Sequence, residues 1–300
     1  MQFVILDLEW NTAYSSKRSH FVNEIIEFGA VKLNEDLEII DSFSSLVKPK
    51  IDKKLRSRVK TLTNISNEDV AEADEFETVC ARFTEWVGDI GNTVVMSWGD
   101  MDVRVLIDNC KYFFDENPHI PFIKYYVDLQ AYFMYMMDLP KAQQIGLSNA
   151  AILIEVNPDE YVHHRALGDS ELSAVCFKKV FNEDSFGPYI IECNDDFYKR
   201  ILFKPYVITD INDKLVDKSS MNCACHTCAK QATQLTDWKV TNSSFVALFY
   251  CKECKIKYRV SIQYKKSYSQ LNVRKNVSIV PKNDEKPKQN ERKQRCSQKA

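Results

Sequence analysis

The sequence predicts an α/β protein in which a mixed sheet is flanked by helices and followed by a small cysteine-bearing β module. Three strand-like runs come early, and helical and strand-like patterns then alternate up to about residue 181. Two Cys-x-x-Cys motifs lie in the C-terminal third. A chain of 300 residues can hold one sizeable domain and a smaller module.

The early strands are expected at 2–9, 24–34 and 38–47, where apolar and β-branched residues dominate and the connections are short and polar. The mixed segment 53–70 is expected to be loop-like. Later patterns predict a helix over 75–87, a strand over 93–98, a helix over 101–111, a strand over 125–129, and helices up to about 137, over 146–156 and over 165–181.

Four regions follow from these patterns. Residues 1–182 form a domain of ordinary size, and residues 183–205, where the pattern weakens, are expected to be a linker or covering segment. Residues 206–264 form the cysteine-bearing module. Residues 265–300 carry 11 Lys or Arg against 3 Asp or Glu, and are expected to be disordered. Such a tail suits a polyanionic partner, or it only keeps the chain solvated.

Several functional classes are excluded by composition. No apolar run approaches the ~20 residues of a membrane span, and no Gly-rich phosphate loop occurs. Acids at positions 7 and 9 interrupt the N-terminal apolar run, so a secretory signal is not expected. We therefore expect a cytoplasmic protein without a membrane partner, whose thiols stay reduced.

The acids Asp7 and Glu9 lie two residues apart in FVILDLEWN, an otherwise apolar run. Side chains at i and i+2 of a strand project from the same face. Two carboxylates held together in a half-buried place repel each other, and a divalent cation between them relieves that repulsion. The pair therefore favours a metal site over the alternative, an edge strand with two solvated acids.

Further acids and a histidine follow in order along the chain. Asp100 and Asp102 come just after the strand predicted over 93–98, and HHRALGDS places His164 five residues before Asp169 at a helix start. Each feature alone is weak, because an acid at a strand end is often a turn residue and a histidine at a helix start is often a cap.

Taken in order, D-x-E on the first strand, an Asp after a later strand and H-x-x-x-x-D on a late helix resemble the DEDDh 3′–5′ exonucleases. The resemblance covers about residues 1–182 and implies a ribonuclease H-like fold. The segments ILDLEWN, SWGDMD and HRALGDS are most similar to RNA-interference-type exoribonucleases and to bacterial sporulation-inhibitor-like exonucleases. GLSNAAILI resembles the helix that precedes the histidine in that superfamily.

The resemblance implies a catalytic set in which His164 is the general base and the metal ligands are Asp7, Glu9, Asp102 and Asp169. Asp102 is preferred to Asp100 because DVRVL fits the apolar pattern that follows the family's Asp. His163 competes with His164, but only His164 has the family's spacing to Asp169. The segment KTLTNIS resembles the family's L-T-x-I segment, which implies that the terminal nucleotide contacts Leu62, Thr63 and Ile65.

These residue types suit phosphodiester hydrolysis. Two divalent ions about 3.5–4 Å apart can bind the attacking and leaving oxygens together, and hard carboxylate oxygens favour Mg²⁺ or Mn²⁺ over Zn²⁺. A histidine can take the proton of the attacking water at neutral pH. Candidates for the apolar wall of the terminal-nucleotide pocket are Phe21, Phe28, Leu62, Ile65 and Trp98. Trp10 follows Glu9 directly and is expected either to approach the terminal nucleotide or to pack in the core.

The cysteine module contains CACHTC at 223–228 and CKEC at 251–254. The pairs Cys225–Cys228 and Cys251–Cys254 have the spacing of a tetrahedral zinc site, and the strand-like segments beside them resemble a zinc ribbon. Cys223 and His226 remain alternative ligands. The scattered cysteines at 80, 110, 176, 193 and 296 are expected to be non-ligating, and the first three to be small core residues.

Basic residues of this module alternate with aromatic ones, which favours nucleic-acid binding over protein docking. They are Lys252, Lys255, Lys257, Arg259, Lys265 and Lys266, interleaved with Tyr258, Tyr264 and Tyr268. We therefore expect a 3′–5′ exonuclease that releases nucleoside 5′-monophosphates from single-stranded nucleic acid. RNA is favoured by the resemblance alone. A DNA exonuclease and a non-catalytic binding regulator are the alternatives.

Overall fold

The structure, a computed structural model, describes residues 1–140 and 143–281. It divides the chain into two compact units, the first spanning Met1–Leu202 and the second beginning at Phe203. None of the helices in the described ranges is long and apolar enough to cross a membrane.

The first unit is built on a seven-stranded mixed sheet. From one edge to the other its strands are β4 (Asp74–Glu75), β3 (Ile39–Lys48), β2 (His20–Leu33), β1 (Gln2–Ser15), β5 (Thr93–Ser97), β6 (Tyr125–Asp128) and β7 (Ile191–Glu192). Strand β1 pairs antiparallel with β2 and parallel with β5. It therefore lies in the middle of the sheet, where both of its faces are covered.

Helices cover both faces of this sheet. They are α1 (Ser57–Thr63), α2 (Asn67–Ala71), α3 (Phe76–Val87), α4 (Met101–Phe113), α5 (Leu129–Met136), α6 (Leu147–Leu153), α7 (Ala166–Val180), α8 (Glu183–Phe186) and α9 (Asp195–Leu202). One apolar cluster joins β1 to α3, α4 and α9, and another joins it to α5, α6 and α7. The predicted α/β class with a mixed, helix-flanked sheet is confirmed.

Segment 53–70, which was expected to be a loop, instead contains α1 and α2. Leu55, Ile65 and Val70 are buried against Ile26 of β2, so the segment has its own small core. Ser66 caps α2, because its hydroxyl accepts from the backbone N–H of Asp69 while its own N–H donates to the Asp69 carboxylate. Strongly mixed polarity concealed these two short helices.

The predicted linker at 183–205 is wrong over most of its length. Residues 183–202 contain α8, β7 and α9 and belong to the first unit. Phe197, Tyr198 and Ile201 of α9 are buried in the same apolar cluster as α3 and α4. Three large side chains on one face of a short helix gain enough from burial to hold it against the sheet.

The second unit is a six-stranded antiparallel sheet. Its strands are β8 (Tyr206–Val207), β9 (Thr233–Gln234), β10 (Lys239–Thr241), β11 (Ser244–Cys251), β12 (Ile256–Lys266) and β13 (Leu271–Ile279). Strand β13 pairs with β12 from Tyr258 to Lys266. The expectation of disorder from residue 265 is therefore wrong for β13, which backbone pairing orders despite its polar sequence. Residues 282–300 of the expected tail lie outside the described residues.

Candidate active site and cysteine cluster

A cavity of about 780 Å³ opens beside the middle of β1. Its walls come from β1, the α1 segment, the start of α4, the start of α6 and the start of α7. The chemically active side chains in its lining are Asp7, Glu9, Asp102, His163, His164 and Asp169. The structure thus brings together acids that lie up to 162 positions apart in the sequence.

Strand β1 supplies the first two acids from adjacent positions of one face. Its register against β2 shifts between Glu9 and Trp10, which is a β-bulge. The extra residue of the bulge is Ile26 of β2. Trp10 and Thr12 of β1 also line the cavity. Beyond the predicted strand end, β1 and β2 continue as a hairpin in which the Thr12 hydroxyl donates to the Asn23 amide oxygen at 2.8 Å.

Helix α4 supplies Asp102 from its first turn. The side chain is 5% exposed, and its Oδ1 accepts from the backbone N–H of Leu8 at 3.1 Å. Asp100 lies two residues earlier, and its carboxylate accepts from the Arg104 guanidinium at 2.8 Å. Of the two acids weighed in the sequence, the structure therefore turns Asp102 toward β1 and pairs Asp100 with its own helix.

Asp169 and His164 lie at the start of α7. The backbone N–H of His164 donates to Asp169 Oδ2 at 3.1 Å, and a ring nitrogen of His164 lies within 4.8 Å of carboxylate oxygens of Glu9 and Asp169. His164 has a left-handed backbone with φ of 55°, a conformation that costs a non-glycine residue roughly 1–2 kcal/mol. Strain of this kind is typical of functional sites.

The neighbouring histidine has a different environment. His163 Nδ1 lies 3.8 Å from Asp169 Oδ1, and its Nε2 lies 3.9 Å from Asp159 Oδ1. Its ring is therefore placed between two carboxylates, while His164 is exposed in the cavity beside Glu9.

The carboxylates are electrostatically frustrated without a cation. Burial, reinforced by repulsion from Asp102 and Asp169, raises the pKa of Asp7 well above its usual range. Burial and the charges of Asp169 and Glu27 raise the pKa of Glu9 to about 8, and burial raises the pKa of Asp102 to about 7. Burial also raises the pKa of Asp169, although the two histidines and a backbone N–H oppose this. A set of hard oxygen donors that repel one another in this way fits divalent cations.

An ion pair between a buried glutamate and a partly exposed arginine, which the sequence does not reveal, supports the start of α7. Glu27 of β2 is 1% exposed and lies opposite Glu9 in the β1–β2 ladder. Both of its oxygens accept from Arg165 Nε, at 3.0 and 3.1 Å, and Oε2 also accepts from the backbone N–H of Ala166 at 3.1 Å. Glu27 thereby ties the first residues of α7, between His164 and Asp169, to the central sheet.

Two glycines allow this close packing. A Cβ on Gly29 of β2 would lie 2.1 Å from the backbone of Ala166, and a Cβ on Gly168 would lie 2.2 Å from the Val162 carbonyl oxygen. The hydroxyl of Ser170 donates to the Gly29 carbonyl at 2.9 Å. Helix α7 and the preceding histidine loop can therefore approach the sheet only because both positions lack a side chain.

The residues implied to contact the terminal nucleotide divide into two groups. Leu62, Thr63, Trp10 and Trp98 line the cavity. Ile65 does not belong with them, because it is 2% exposed and packs into the core with Ile26, Leu55 and Val70.

The two phenylalanines proposed for the wall are also corrected. Phe28 is fully buried between Phe76 and Phe83. Phe21 is 60% exposed on the β1–β2 hairpin, where its ring packs edge-on against Tyr14. One ring is committed to the core and the other to the hairpin surface.

Arg56 and Arg58, which the sequence analysis did not single out, bring positive charge to the cavity wall. The loop before them is fixed by buried polar side chains. Asn11 Oδ1 accepts from the Arg56 backbone N–H at 3.0 Å, and Glu24, which is 1% exposed, accepts from the backbone N–H of Ile51 at 2.8 Å. A predicted loop gave no reason to choose these arginines.

Comparison with known proteins agrees with this geometry. The family model described as "Exonuclease" (RNase_T) matches residues 4–177, more than half of the chain. The chain belongs to this exonuclease family. It is 37% identical over 121 residues to "Probable 3'-5' exonuclease KapD" of Bacillus subtilis, covering 40% of this chain and 55% of KapD. It is 30% identical over 190 residues to "DNA polymerase III PolC-type" of Clostridium perfringens, covering 61% of this chain and 11% of that protein.

Among solved structures, the nuclease domain of 3'hExo, a DEDDh family member bound to rAMP, superposes with a TM-score of 0.52 at 26% identity. The match covers 59% of this chain and 90% of that domain. The ribonuclease H-like exonuclease fold implied by the resemblance is thereby confirmed. The chain spans about half of the length of KapD and a smaller part of the polymerase.

The second unit contains a separate cluster. Sulfur atoms of Cys225, Cys228, Cys251 and Cys254 all lie within 4.8 Å of one another, and Cys228 Sγ is 3.6 Å from Cys251 Sγ. That separation is far longer than a disulfide bond of about 2.05 Å. Four converging thiols from two Cys-x-x-Cys turns are compatible with a tetrahedral zinc ion.

Tyr258 supports the cluster from β12. Its hydroxyl lies 3.1 Å from Cys225 Sγ and accepts from the backbone N–H of His226 at 3.2 Å. Hydrogen bonding from Tyr258 lowers the pKa of the Cys225 thiol to about 5, which favours the thiolate that a metal requires.

The two alternative ligands have other contacts. The His226 ring packs against the Tyr258 ring at 5.5 Å, and the Cys223 thiol donates to the Ala224 carbonyl. The scattered cysteines at 80, 110 and 176 are buried in the first unit, as expected for core residues.

Proposed function

We propose that this protein is a metal-dependent 3′–5′ exonuclease that removes nucleotides one at a time from the 3′ end of single-stranded nucleic acid, with RNA favoured. The observation that carries the proposal is the convergence of four carboxylates and His164 in one open cavity of an exonuclease-family domain. RNA is favoured by the resemblance to exoribonucleases and by the likeness to a domain bound to rAMP.

The four acids Asp7, Glu9, Asp102 and Asp169 would hold two Mg²⁺ or Mn²⁺ ions. When bound, such ions stabilise the negative charge that develops on the phosphate oxygens during hydrolysis. Leu8 orients one of these ligands, because its backbone N–H fixes an Asp102 oxygen. Glu27 and Arg165 position another, because they anchor the turn that carries Asp169.

His164 would act as the general base. Its ring is exposed in the cavity and lies beside Glu9 and Asp169, so it can reach a water at the scissile phosphate. The imidazole takes a proton from that water as the oxygen bonds to phosphorus. The bond from phosphorus to the 3′ oxygen of the preceding nucleotide breaks, and that oxygen acquires a proton from solvent. The products are a nucleoside 5′-monophosphate and a strand with a new 3′ hydroxyl.

The terminal nucleoside would lie between β1 and α1. Trp10, Leu62 and Thr63 give this part of the cavity an apolar wall, and Leu62 is 49% exposed. Arg56 and Arg58 in the same wall can neutralise phosphates. An apolar wall beside cations suits a base and its phosphate without selecting a sequence.

The cysteine cluster would hold one structural Zn²⁺. Its four thiols are soft ligands, and four ligands are enough for a tetrahedral zinc ion. The cysteines are separate in sequence from the carboxylates of the cavity. It would stabilise the second unit and take no part in hydrolysis.

The test uses the purified full chain with MnCl₂ and 20-nucleotide RNA and DNA of the same sequence. A 5′ label should reveal a ladder that shortens one nucleotide at a time, and a 3′ label should appear first as a mononucleotide. A 3′-phosphate on the oligomer should block the reaction. Internal cleavage, or no products from either sugar, would contradict the proposal, the latter in favour of a non-catalytic regulator.

A DNA exonuclease is the second candidate, because the similarity to the PolC-type polymerase extends over 190 residues. The two candidates differ in the same assay. Faster hydrolysis of RNA than of DNA supports the first, and intact RNA beside degraded DNA supports the second.

A further inference from the structure

The sheet of the second unit has one buried and one open face. Along β12, Tyr258, Val260, Ile262 and Tyr264 are fully buried, whereas the residues between them are partly or fully exposed. The two tyrosines that the sequence suggested for stacking on bases are therefore core residues. Of the two faces of this sheet, only the opposite one is open to nucleic acid.

The outer face is defined by the strand register. In antiparallel pairs, residues opposite each other project from the same side of the sheet. Arg259 lies opposite Leu248 on one side and Ser278 on the other, and Lys257 lies opposite Tyr250. The outer face is this side of β10, β11, β12 and β13, and its β11 members include Val246, Leu248 and Tyr250.

This outer face carries positive charge without acidic residues. Its basic members lie on three strands and are Lys239, Lys257, Arg259, Lys265 and Arg274. Among the described residues, no carboxylate forms an ion pair with any of them, whereas Lys230 of the same unit pairs with Glu253 at 2.9 Å. Alternate residues of β12 are roughly 7 Å apart. The register places Lys239 level with Ser261 and Arg274 level with Gln263, so the five cations form a staggered row that crosses three strands.

The remaining members suit bases. Tyr250 of β11 is partly exposed and lies opposite Lys257. Val246 and Leu248 are partly exposed on the same face of β11. Ser261 and Asn276 lie opposite each other between the cations, where their side chains can donate to phosphates or base edges. Aromatic and apolar groups beside an unpaired row of cations are the pattern of proteins that bind single strands without reading sequence.

We propose that the outer face binds single-stranded nucleic acid and holds the part of a long substrate that lies outside the catalytic cavity. The choice of nucleic acid over an acidic protein rests on the function proposed above and on Tyr250, whose ring can stack on a base. The face then determines affinity for long strands, while the carboxylate cavity determines the rate of each hydrolytic step.

The test compares two double variants of the full chain with the same change in net charge. Arg259→Glu/Arg274→Glu alters the outer face, and Lys214→Glu/Lys218→Glu alters an exposed loop of the same unit. Binding of a fluorescent 20-nucleotide strand is measured by anisotropy, with Asp7→Asn added to both to prevent hydrolysis. The outer-face variant should bind at least tenfold more weakly than the loop variant. The logarithm of the binding constant falls as the logarithm of the salt concentration rises. The magnitude of this slope should be about 1.4 smaller for the outer-face variant, because each phosphate contact to a single strand contributes ~0.7.

Activity distinguishes this proposal from the function on which it rests. Without Asp7→Asn, the outer-face variant should hydrolyse a four-nucleotide strand with unchanged kcat/KM and show a raised KM for the 20-nucleotide strand. If the wild type hydrolyses neither strand but binds the longer one through this face, the proposed activity fails and the inference stands.

Two further measurements complete the test. Tyr250→Ala should weaken binding of the long strand about tenfold, in the range expected for loss of one stacked base, while zinc content stays unchanged. Equal affinities of the two double variants for the long strand would overturn the proposal. The proposal would also be overturned if the outer-face variant lost affinity equally for poly-glutamate and for nucleic acid while Tyr250→Ala left both affinities unchanged. That result would indicate an acidic protein partner.

Discussion

The carboxylate cavity and the cysteine cluster are built in opposite ways. The cavity takes its four carboxylates from β1, α4 and α7, which are distant in sequence, and it opens to solvent although the acids themselves are largely buried. The cluster takes its four sulfurs from two short turns and closes around them. The cavity contains carboxylate oxygens, which are hard donors that repel one another. The cluster contains thiol sulfurs, which are soft donors, and Tyr258 supports one of them.

From this contrast we infer that the carboxylate cavity carries the reactivity of the protein and that the cysteine cluster carries stability. A left-handed backbone at His164 and raised carboxylate pKa values both cost stability, and such costs are typical of sites that carry out chemistry. The four thiols of the cluster stabilise the second unit fully only when a metal ion links the two Cys-x-x-Cys turns. Each prediction below alters one site and leaves the other intact.

The largest expected effect is on the cluster. Cys251→Ser removes a sulfur from the set of four, and structural zinc binding is worth about 10–16 kcal/mol in small zinc-binding peptides. The variant should lose its zinc and the cooperative unfolding of the second unit, as measured by metal analysis and circular dichroism. Cys223→Ser, the matched control, should keep its zinc. Retention of zinc by Cys251→Ser would show that this sulfur is not a ligand.

The next effect is on catalysis. Asp102→Asn removes a metal-ligand charge, and loss of about 4 kcal/mol of transition-state stabilisation lowers kcat roughly 10³-fold. Release of mononucleotide from a short oligomer measures this. Asp108→Asn, on the exposed side of the same helix, should stay within about twofold of the wild type. Comparable rates for the two variants would remove Asp102 from the site.

A smaller effect is expected from the support of α7. Glu27→Gln leaves Arg165 without its bidentate partner and loosens the turn that carries His164 and Asp169, which should lower kcat roughly 10- to 100-fold. The apparent Mn²⁺ affinity should fall as well, a readout that simple destabilisation of the fold would not change.

The control for this pair is another ion pair of the same helix. Glu38→Gln breaks the exposed pair with Lys178 of α7, and exposed pairs are worth about 0–1 kcal/mol. If Glu38→Gln and Glu27→Gln change kcat and Mn²⁺ affinity equally, Glu27 has no positioning role.

The smallest effect is on pH dependence. Glu9 and Asp102 have pKa values of about 8 and 7 in the metal-free fold, against about 4 in the unfolded chain. The folded state therefore binds more protons between pH 4 and 8, and the free energy of unfolding falls as pH rises through this window. Mn²⁺ relieves the repulsion, so it should raise Tm by a few degrees more at pH 8 than at pH 6. Equal shifts at both pH values in a thermal scan would contradict this.

Much of this architecture could be predicted from local sequence. Strand β1 and helices α3, α4 and α7 have strong periodicity, and the order of acids along them has the pattern of the exonuclease family. The cysteine cluster is predictable because its ligands lie in two short motifs whose spacing alone defines the geometry. In each case, the information lies within a few neighbouring residues.

What escaped prediction depends on contacts between distant segments. In the sequence, Glu27 is only a polar residue within an apolar strand. Its role depends on Arg165, which lies at the start of α7 and donates to its carboxylate. Ile65 follows a family motif but faces the core, because α1 and α2 turn it inward against Ile26. The polar sequence of β13 gives little sign of a strand, and its order comes from pairing with β12.

Whether the four carboxylates of the cavity bind the catalytic metal ions can be tested by anomalous diffraction at the manganese edge from crystals soaked in MnCl₂. We expect two strong peaks bounded by Asp7, Glu9, Asp102 and Asp169, and no manganese at the four cysteines. Absence of a peak among these carboxylates, with manganese bound elsewhere in the chain, would contradict the assignment of the cavity as the catalytic site.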